Sequence, residues 1–382
     1  MQERALRKVL LIQAIEETDR RGEALPLAER VDATRAVAGK NLSSIETQAE
    51  AQLSSATEWF LVRRADLLLR SLRGRSPGID YVLAIAGGSI ALDRGMLMLA
   101  FVAGVLLSFL DGRRAINIFA LPLVVLIAWN LLVYVSRLGR RRTTATTAAT
   151  ATTATKSTPG VTTVGAAPVA AASGGASAPR RSLFASFYSR WTRSRIDKLL
   201  GHSTRFNAPL APGLRRFAGD WWEVAQPLFA ARARRLLHLS AMAVALGLIA
   251  GYYFRAIILR AGAGWEGGNV VGPGTAHTFL AVLYGPASLI TGISLPPTAG
   301  IAELRLTAAS GSGGDATPWI HLIAWTAVLY IVLPRLIAVL SSSFYLWRLS
   351  RRLVAPPGVV GYVRTLFATE RVQPGNGELH DV

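Results

Sequence analysis

The chain has no cysteine among its 382 residues, which excludes disulfides, thiol nucleophiles and cysteine-ligated zinc or iron–sulfur sites. Any metal would have to be held by carboxylates and the five histidines. Acidic charge is also scarce: 23 Asp and Glu stand against 42 Lys and Arg, a formal net charge of +19. Such an excess suits nucleic acid, anionic lipid or the cytoplasmic flanks of membrane helices, and only its position along the chain separates these. No long apolar run occurs before residue 95. The opening stretch Gln2–Glu17 mixes charges into an amphipathic pattern, so no secretory signal is expected. Catalytic signatures are missing too. Gly39-Lys40 is followed by Asn41 and lacks the upstream glycine of a phosphate-binding loop, and neither a GxSxG elbow nor an HExxH helix occurs.

What is present is apolar: 51% of residues are hydrophobic and the mean hydropathy is +0.35, which argues for segments embedded in a bilayer. A crossing needs about 20 residues. Four runs qualify as spans: Gly95–Leu110, short unless Ala91 and Leu92 join it, then Ile116–Val135, Leu236–Phe254 and Trp319–Leu340. The first two are joined by Asp111–Ala115, so they are read as a tight transmembrane hairpin within 91–135. Arg137, Arg140, Arg141 and Arg142 follow the second span, Arg232, Arg234 and Arg235 precede the third, and Arg348, Arg351 and Arg352 follow the fourth. These clusters fall on one side, predicted to be cytoplasmic together with both chain ends. Arg113, Arg114, Arg255 and Arg260 oppose the rule but are fewer, and Arg255 is expected to snorkel from its helix end.

The fold class is therefore all-α: a polytopic membrane helical bundle with four transmembrane helices and an N-terminal cytoplasmic helical hairpin or stalk over 1–80. In the latter, Gln2–Asp19 and Leu27–Leu72 both read as helix, the second carrying a small-residue stripe through Ala38, Leu42, Ile45, Ala49 and Ala56. Residues 143–179 form a Thr/Ala-rich linker with Lys156 its only charge, expected to be disordered. Residues 180–235 are assigned to cytoplasmic basic amphipathic helices, followed by the third span over 236–260 and a periplasmic loop or cap over 261–318. The fourth span and its cytoplasmic extension take 319–352, and 353–382 is expected to be a flexible tail.

Within the basic segment, Arg190, Arg193, Arg195 and Lys198 alternate with Phe184, Phe187, Tyr188 and Trp191, which predicts contact with anionic lipid headgroups of the inner leaflet. The same composition can stack on single-stranded nucleic acid, a less favoured reading in a membrane-anchored chain. In the outer loop, Thr275–Leu295 is apolar and contains Gly285, Pro286 and Gly292, suggesting a helical cap or a re-entrant segment packed on the bundle.

Individual polar residues inside spans stand out. Arg335 follows Pro334 deep in the fourth run, and an ionisable residue there is costly enough to be functional by default. The competing reading ends the span near Pro334 and places Arg335 on an amphipathic continuation. If Arg335 is embedded, a backbone carbonyl freed by Pro334 offers a partner. Asn130 lies within the second run, where an amide ordinarily seeks an interhelical hydrogen bond. Outside the membrane, Glu266, His277, Glu303, Asp315 and His321 are the candidate acid–base or ligand groups, with no spacing that matches a metal motif. Catalytic, cofactor and metal sites are accordingly assigned none.

Arg114, Ile116, Asn117 and Ile118, then Leu121-Pro122, Ala128-Trp129-Asn130 and Tyr134, resemble an uncharacterised bacterial inner-membrane family known as domain of unknown function 2868. The likeness continues through Trp221, Pro227-Leu228, the run from Arg232 to His238, Gly264-Trp265-Glu266, Gly285-Pro286, Pro318-Trp319 and Leu333-Pro334-Arg335. Gly267-Gly268 depart from the polar-aromatic continuation of that pattern. The resemblance implies a bacterial cytoplasmic-membrane protein encoded beside a GTPase-like membrane-associated protein, and a complex with that neighbour follows as an expectation. It directs attention to Asn130, Trp265, Glu266 and Arg335. The function expected is a non-enzymatic membrane scaffold or regulatory subunit that recruits a cytoplasmic partner through its N-terminal helices, with a second copy of the chain as a further candidate partner. The alternatives are a small transporter or channel subunit lined by Asn130 and Arg335, and a membrane enzyme using Glu266 and His277.

Overall fold

A computed structural model describes residues 1–38, 55–88, 90–111, 115–135, 194, 208–266, 271–306 and 313–372. In chain order it contains α1 (Glu3–Thr18), α2 (Leu27–Ala38), α3 (Ser55–Arg75), α4 (Gly78–Ala86), α5 (Ile90–Leu107), β1 (Ala115–Asn117), α6 (Leu121–Val135), α7 (Ala211–Ile257) and β2 (Gly262–Gly264). There follow α8 (Pro273–Thr291), α9 (Thr298–Glu303), α10 (Thr317–Ala327), a π turn (Val328–Val332), α11 (Leu333–Arg351) and α12 (Pro357–Val372). The chain divides into two units: one of Met1–Asp93, Arg181–Leu236 and Leu340–Val382, the other of Arg94–Arg180 and Leu237–Val339.

The first unit is helical. In α3 the apolar positions Phe60, Leu61, Ala65, Leu68, Leu69 and Leu72 recur at three- and four-residue steps and are all buried, as are Leu6, Val9, Leu10 and Ile15 of α1. Asp19 shapes the connection to α2: its carboxylate accepts from the amides of Glu23, Ala24 and Leu25 at 2.9, 3.1 and 2.8 Å. Gly22 lies in the left-handed region at φ 69°, where a side chain is strained. Arg30 then holds the Asp19 carboxylate at 2.7 Å.

The C-terminal segment corrects the expectation of a flexible tail over its first part. Residues 357–372 form α12, and Val359, Tyr362 and Val363 are buried in the first unit, with the Gln13 amide donating to Gly358 O at 3.2 Å. The i, i+3, i+4 spacing of those three residues is an amphipathic stripe that the preceding Pro356-Pro357 obscures. The stretch 27–72, expected as one helix, is helical at both ends as α2 and α3.

The second unit holds a small mixed core. β1 and β2 pair in parallel, with Ala115 opposite Gly262 and Asn117 opposite Gly264. Trp265 is fully buried beside them, donating from Nε1 to Ile301 O at 2.8 Å and meeting Phe119 edge-on at 5.7 Å. Tyr284 of α8 donates to Ile118 O at 2.7 Å. The strand accounts for a difference from the predicted run Ile116–Val135. Residues 115–117 are extended, Ala120 takes a left-handed φ of 43°, and the helix begins only at Leu121, with Pro122 in its first turn. Among the described residues three helical stretches are long and apolar enough to cross a membrane, Asp93–Leu110, Ala211–Ile257 and Thr317–Arg351, while Leu121–Val135 is shorter.

α5 and α7 approach at backbone distance through glycine. A Cβ on Gly104 would meet Val244 O and lie 2.9 Å from Leu248 N. One on Gly247 would meet Phe101 O and lie 3.1 Å from Gly104 Cα, and one on Gly251 would lie 2.9 Å from Val105 O. Gly247 and Gly251 are four residues apart, a small-xxx-small face of the kind that brings membrane helices together. The Gly247–Gly251 spacing is itself legible in the sequence.

Candidate functional site

The second unit brings together the two polar residues singled out inside apolar runs. Arg335 donates from Nε to Asn130 Oδ1 at 2.8 Å, and its Nη2 donates to the same oxygen. Its Nη1 lies 3.0 Å from His238 Nδ1. A guanidinium only donates, so the His238 Nδ1 in this pair is the unprotonated acceptor. The Tyr134 ring lies 5.7 Å from the Arg335 guanidinium carbon, near enough for its electron-rich face to attract the cation. Relative exposures of 7% for Arg335, 4% for Asn130 and 2% for His238 leave this charge sealed from solvent.

Local backbone prepares the position. Pro334 has no N–H to return to the preceding turn, and the chain absorbs the defect in the π turn, where the Leu333 amide bonds Val328 O. Arg335 donates to side chains of two other helices, Asn130 of α6 and His238 of α7. Leu336, Ile337, Leu340 and Phe344 are exposed apolar residues beyond Arg335, so the apolar surface of this helix continues past the charge.

The cluster makes an asymmetric prediction. Asn130→Leu leaves a buried guanidinium short of its main acceptor and is expected to cost about 1.5–3 kcal/mol in thermal unfolding of the detergent-purified chain. Arg335→Met removes charge and demand together and should cost less, and the double variant should recover most of the Asn130→Leu loss. A double variant worse than Asn130→Leu alone would contradict this account.

Arg255 was expected to snorkel outward and does the reverse. It is buried, with Nη2 donating to Ala115 O at 2.9 Å, Nη1 donating to Ser108 O, and Phe109 packed at 5.7 Å. The arginine thus ties the end of α7 to the turn after α5 and to the start of β1. His321 shares a 2.7 Å hydrogen bond with Tyr253. Trp265 lies in the core and the neighbouring Glu266 is exposed. Among the described residues there is no group of three or more His, Asp or Glu side chains able to hold a metal ion. Arg190, Trp191, Arg193, Arg195 and Lys198, the expected membrane-surface residues, lie outside the described residues, as does the linker 143–179.

Sequence reasoning missed a second constellation, in the first unit. Arg64 is buried in α3 and bonds Glu16 Oε1 at 2.7 Å, Glu16 Oε2 at 3.2 Å, Thr34 Oγ1 at 2.8 Å and the Tyr362 hydroxyl at 2.7 Å. Tyr362 donates in turn to Glu16 Oε2 at 2.5 Å. Burial pulls the guanidinium toward losing its proton, but Tyr362 and Glu16 outweigh it and hold Arg64 above its ordinary value. Burial raises the Tyr362 hydroxyl well above its ordinary value near 10, with Arg64 opposing and Glu16 adding to the rise. An arginine at a helix position that is otherwise apolar, between Leu61 and Leu68, was the available signal.

This network floors a cleft of about 220 Å³. Glu16, Glu17, Arg30, Thr34, Arg64 and Tyr362 supply its polar surface, and Leu27, Val31 and Leu366 its apolar surface. The charges lining it are already paired: Glu17 with Arg216, Arg30 with Asp19, and Arg64 with Glu16. The lining hydroxyls of Thr34, Tyr362 and Thr365 are bonded as well, so what remains for a visitor is the apolar wall, a surface suited to an inserted side chain more than to a free ion. The chain matches no protein-family model, no curated protein and no solved structure.

Proposed function

We propose that this chain is an integral inner-membrane scaffold or regulatory subunit that crosses the bilayer four times, with both ends cytoplasmic. Its first unit, built on the N-terminal helical hairpin or stalk, recruits a soluble or peripheral partner. The observation that carries the reading is the cleft over Arg64, with its paired charges and its apolar wall of Leu27, Val31 and Leu366. The fourth crossing is assigned to Leu121–Val135, whose 15 described residues reach about 22 Å and are followed in sequence by Arg137 and Arg140. The partner indicated by the family resemblance is a GTPase-like protein. Arg335, held by Asn130 and His238, acts as a fastener between helices, which weighs against the channel-subunit reading.

Leu27 is half exposed at the cleft, so Leu27→Arg changes the docking surface without opening the core. Full-length and Leu27→Arg proteins, solubilised from native membranes and affinity-purified, are compared by mass spectrometry. The expected result is a GTPase-like chain recovered with the first and depleted about tenfold with the second, a change of about 1.4 kcal/mol. Recovery of only the chain itself from both overturns recruitment. Flux through liposomes that Arg335→Ala abolishes would then favour the channel subunit.

A further inference from the structure

α8 has two apolar faces, and only one of them is used inside the protein. Ala276, Leu280, Tyr284 and Ala287 follow an i, i+4, i+8, i+11 spacing, are fully buried, and pack on α10, part of the Thr317–Arg351 stretch long enough to cross a membrane. The Tyr284 and Trp319 rings meet at 6.2 Å in that contact. A second stripe, Phe279, Val282, Pro286, Leu289 and Ile290, runs at i, i+3, i+7, i+10 and i+11 on another side of the helix. All five are exposed, Val282 at 75% and Leu289 at 87%. A continuous stripe of large apolar side chains in water is unfavourable and uncommon on a protein surface.

We propose that this stripe of α8 lies in the acyl chains of the bilayer, making α8 a membrane-embedded element of the outer loop and not a cap standing in water. Three observations select lipid over other occupants. From Gly267 to Ala302 the sequence has no Asp, Glu, Lys or Arg, where a loop bathed in water or a polar protein interface would ordinarily carry several. The helix satisfies its own hydroxyls: Thr278 donates to Gly274 O at 3.0 Å, Thr291 to Ala287 O at 2.9 Å, and Ser288 to Ile293 O at 2.6 Å. Returning side-chain donors to backbone carbonyls is what hydrocarbon demands and water does not. The unit's own span is exposed in the same manner, with Ile257, Ile258 and Leu259 at and beyond the end of α7 all open.

The inference rests on the reading that α5, α7 and the α10–α11 stretch cross a bilayer, and the test separates the two. Because the chain has no cysteine, single-cysteine variants of the full-length protein carry no background. Val282→Cys, Leu289→Cys, Leu99→Cys on α5 and Asp315→Cys in the outer loop are placed in lipid nanodiscs, where both faces meet the reagent. A water-soluble maleimide is expected to label Asp315→Cys to completion while labelling at the other three is lost. Nitroxides at positions 282 and 289 should collide with oxygen more than with a water-soluble nickel complex. If Leu99→Cys stays protected while Val282→Cys and Leu289→Cys label fully, α8 lies in water and the proposal fails with the spans intact. If Leu99→Cys labels as well, the membrane reading itself fails and takes the proposal with it. Protection at 282 and 289 from oxygen and nickel alike means a protein surface covers the stripe, which also overturns it.

Discussion

Replacing Arg64 by alanine is expected to destabilise the first unit by about 3–5 kcal/mol, because it leaves the buried Glu16 carboxylate without its cation. Three helices lose a shared partner at once: Glu16 in α1, Thr34 in α2 and Tyr362 in α12 all bond the same guanidinium. Most of the cost lies in the stranded carboxylate, so Arg64→Met combined with Glu16→Leu should be far milder than Arg64→Ala alone. Thermal unfolding of the full-length protein in detergent, followed by the fluorescence of the first unit's tryptophans, reads the difference. Equal losses in the two proteins would show that the packing of the arginine stem, and not its charge, is what matters.

The same network predicts an alkaline limit. Tyr362 keeps its proton in the folded unit beyond the pH at which it loses it in the unfolded chain, near 10. Above that value the unfolded state binds fewer protons than the folded one, so stability falls as pH rises; below it the contribution is fully present. Tyr362→Phe should abolish this part of the decline while leaving the Arg64–Glu16 pair in place. A slope unchanged by Tyr362→Phe would place the titrating group elsewhere.

Gly247→Leu is expected to be the most damaging single substitution in the second unit, with a cost of about 3 kcal/mol or more. The added side chain would enter the carbonyl of Phe101 and press on Gly104, and backbone cannot rotate aside as a side chain can. The helices would have to separate, and α5 would lose its close approach along Gly104, Gly247 and Gly251 together. A cysteine pair such as Gly104→Cys with Gly251→Cys would add the same steric strain, so separation is better read from spin-label distances between exposed positions 99 and 246. Gly95→Leu is the control, because nothing lies near a Cβ at that glycine. A Gly247→Leu protein as stable as Gly95→Leu would show that α5 and α7 do not meet through this face.

Packing of this kind makes the second unit rigid. The Arg335 cluster joins α6, α7 and α11 with directional bonds, while the glycine face joins α5 to α7 by dispersion at short range. In an apolar solvent neither the hydrophobic effect nor water-exposed charge holds helices in register, so devices such as these take that role. The Asn130–Arg335 bonds are strong because Asn Oδ1 accepts two donors of a fixed guanidinium plane.

Hydropathy along the chain is enough to place this protein among helical chains with membrane-length apolar segments. Runs of apolar residues are local, so the stretches around 95–110, 236–254 and 319–340 announce helices long and apolar enough for a bilayer without knowledge of their neighbours. Hydropathy also draws attention to Asn130 and Arg335, since a polar side chain in such a run is costly wherever it points. Which groups those residues bond is set by distant parts of the chain, because their bond spans 205 positions and that of Arg64 with Tyr362 spans 298. Tertiary contacts likewise place Ile116 in a strand, turn Arg255 inward and hold the segment after Pro357 as a helix. In each case a non-local partner, β2, the Ser108 carbonyl or α1, outweighs what hydropathy and charge dictate over a few residues.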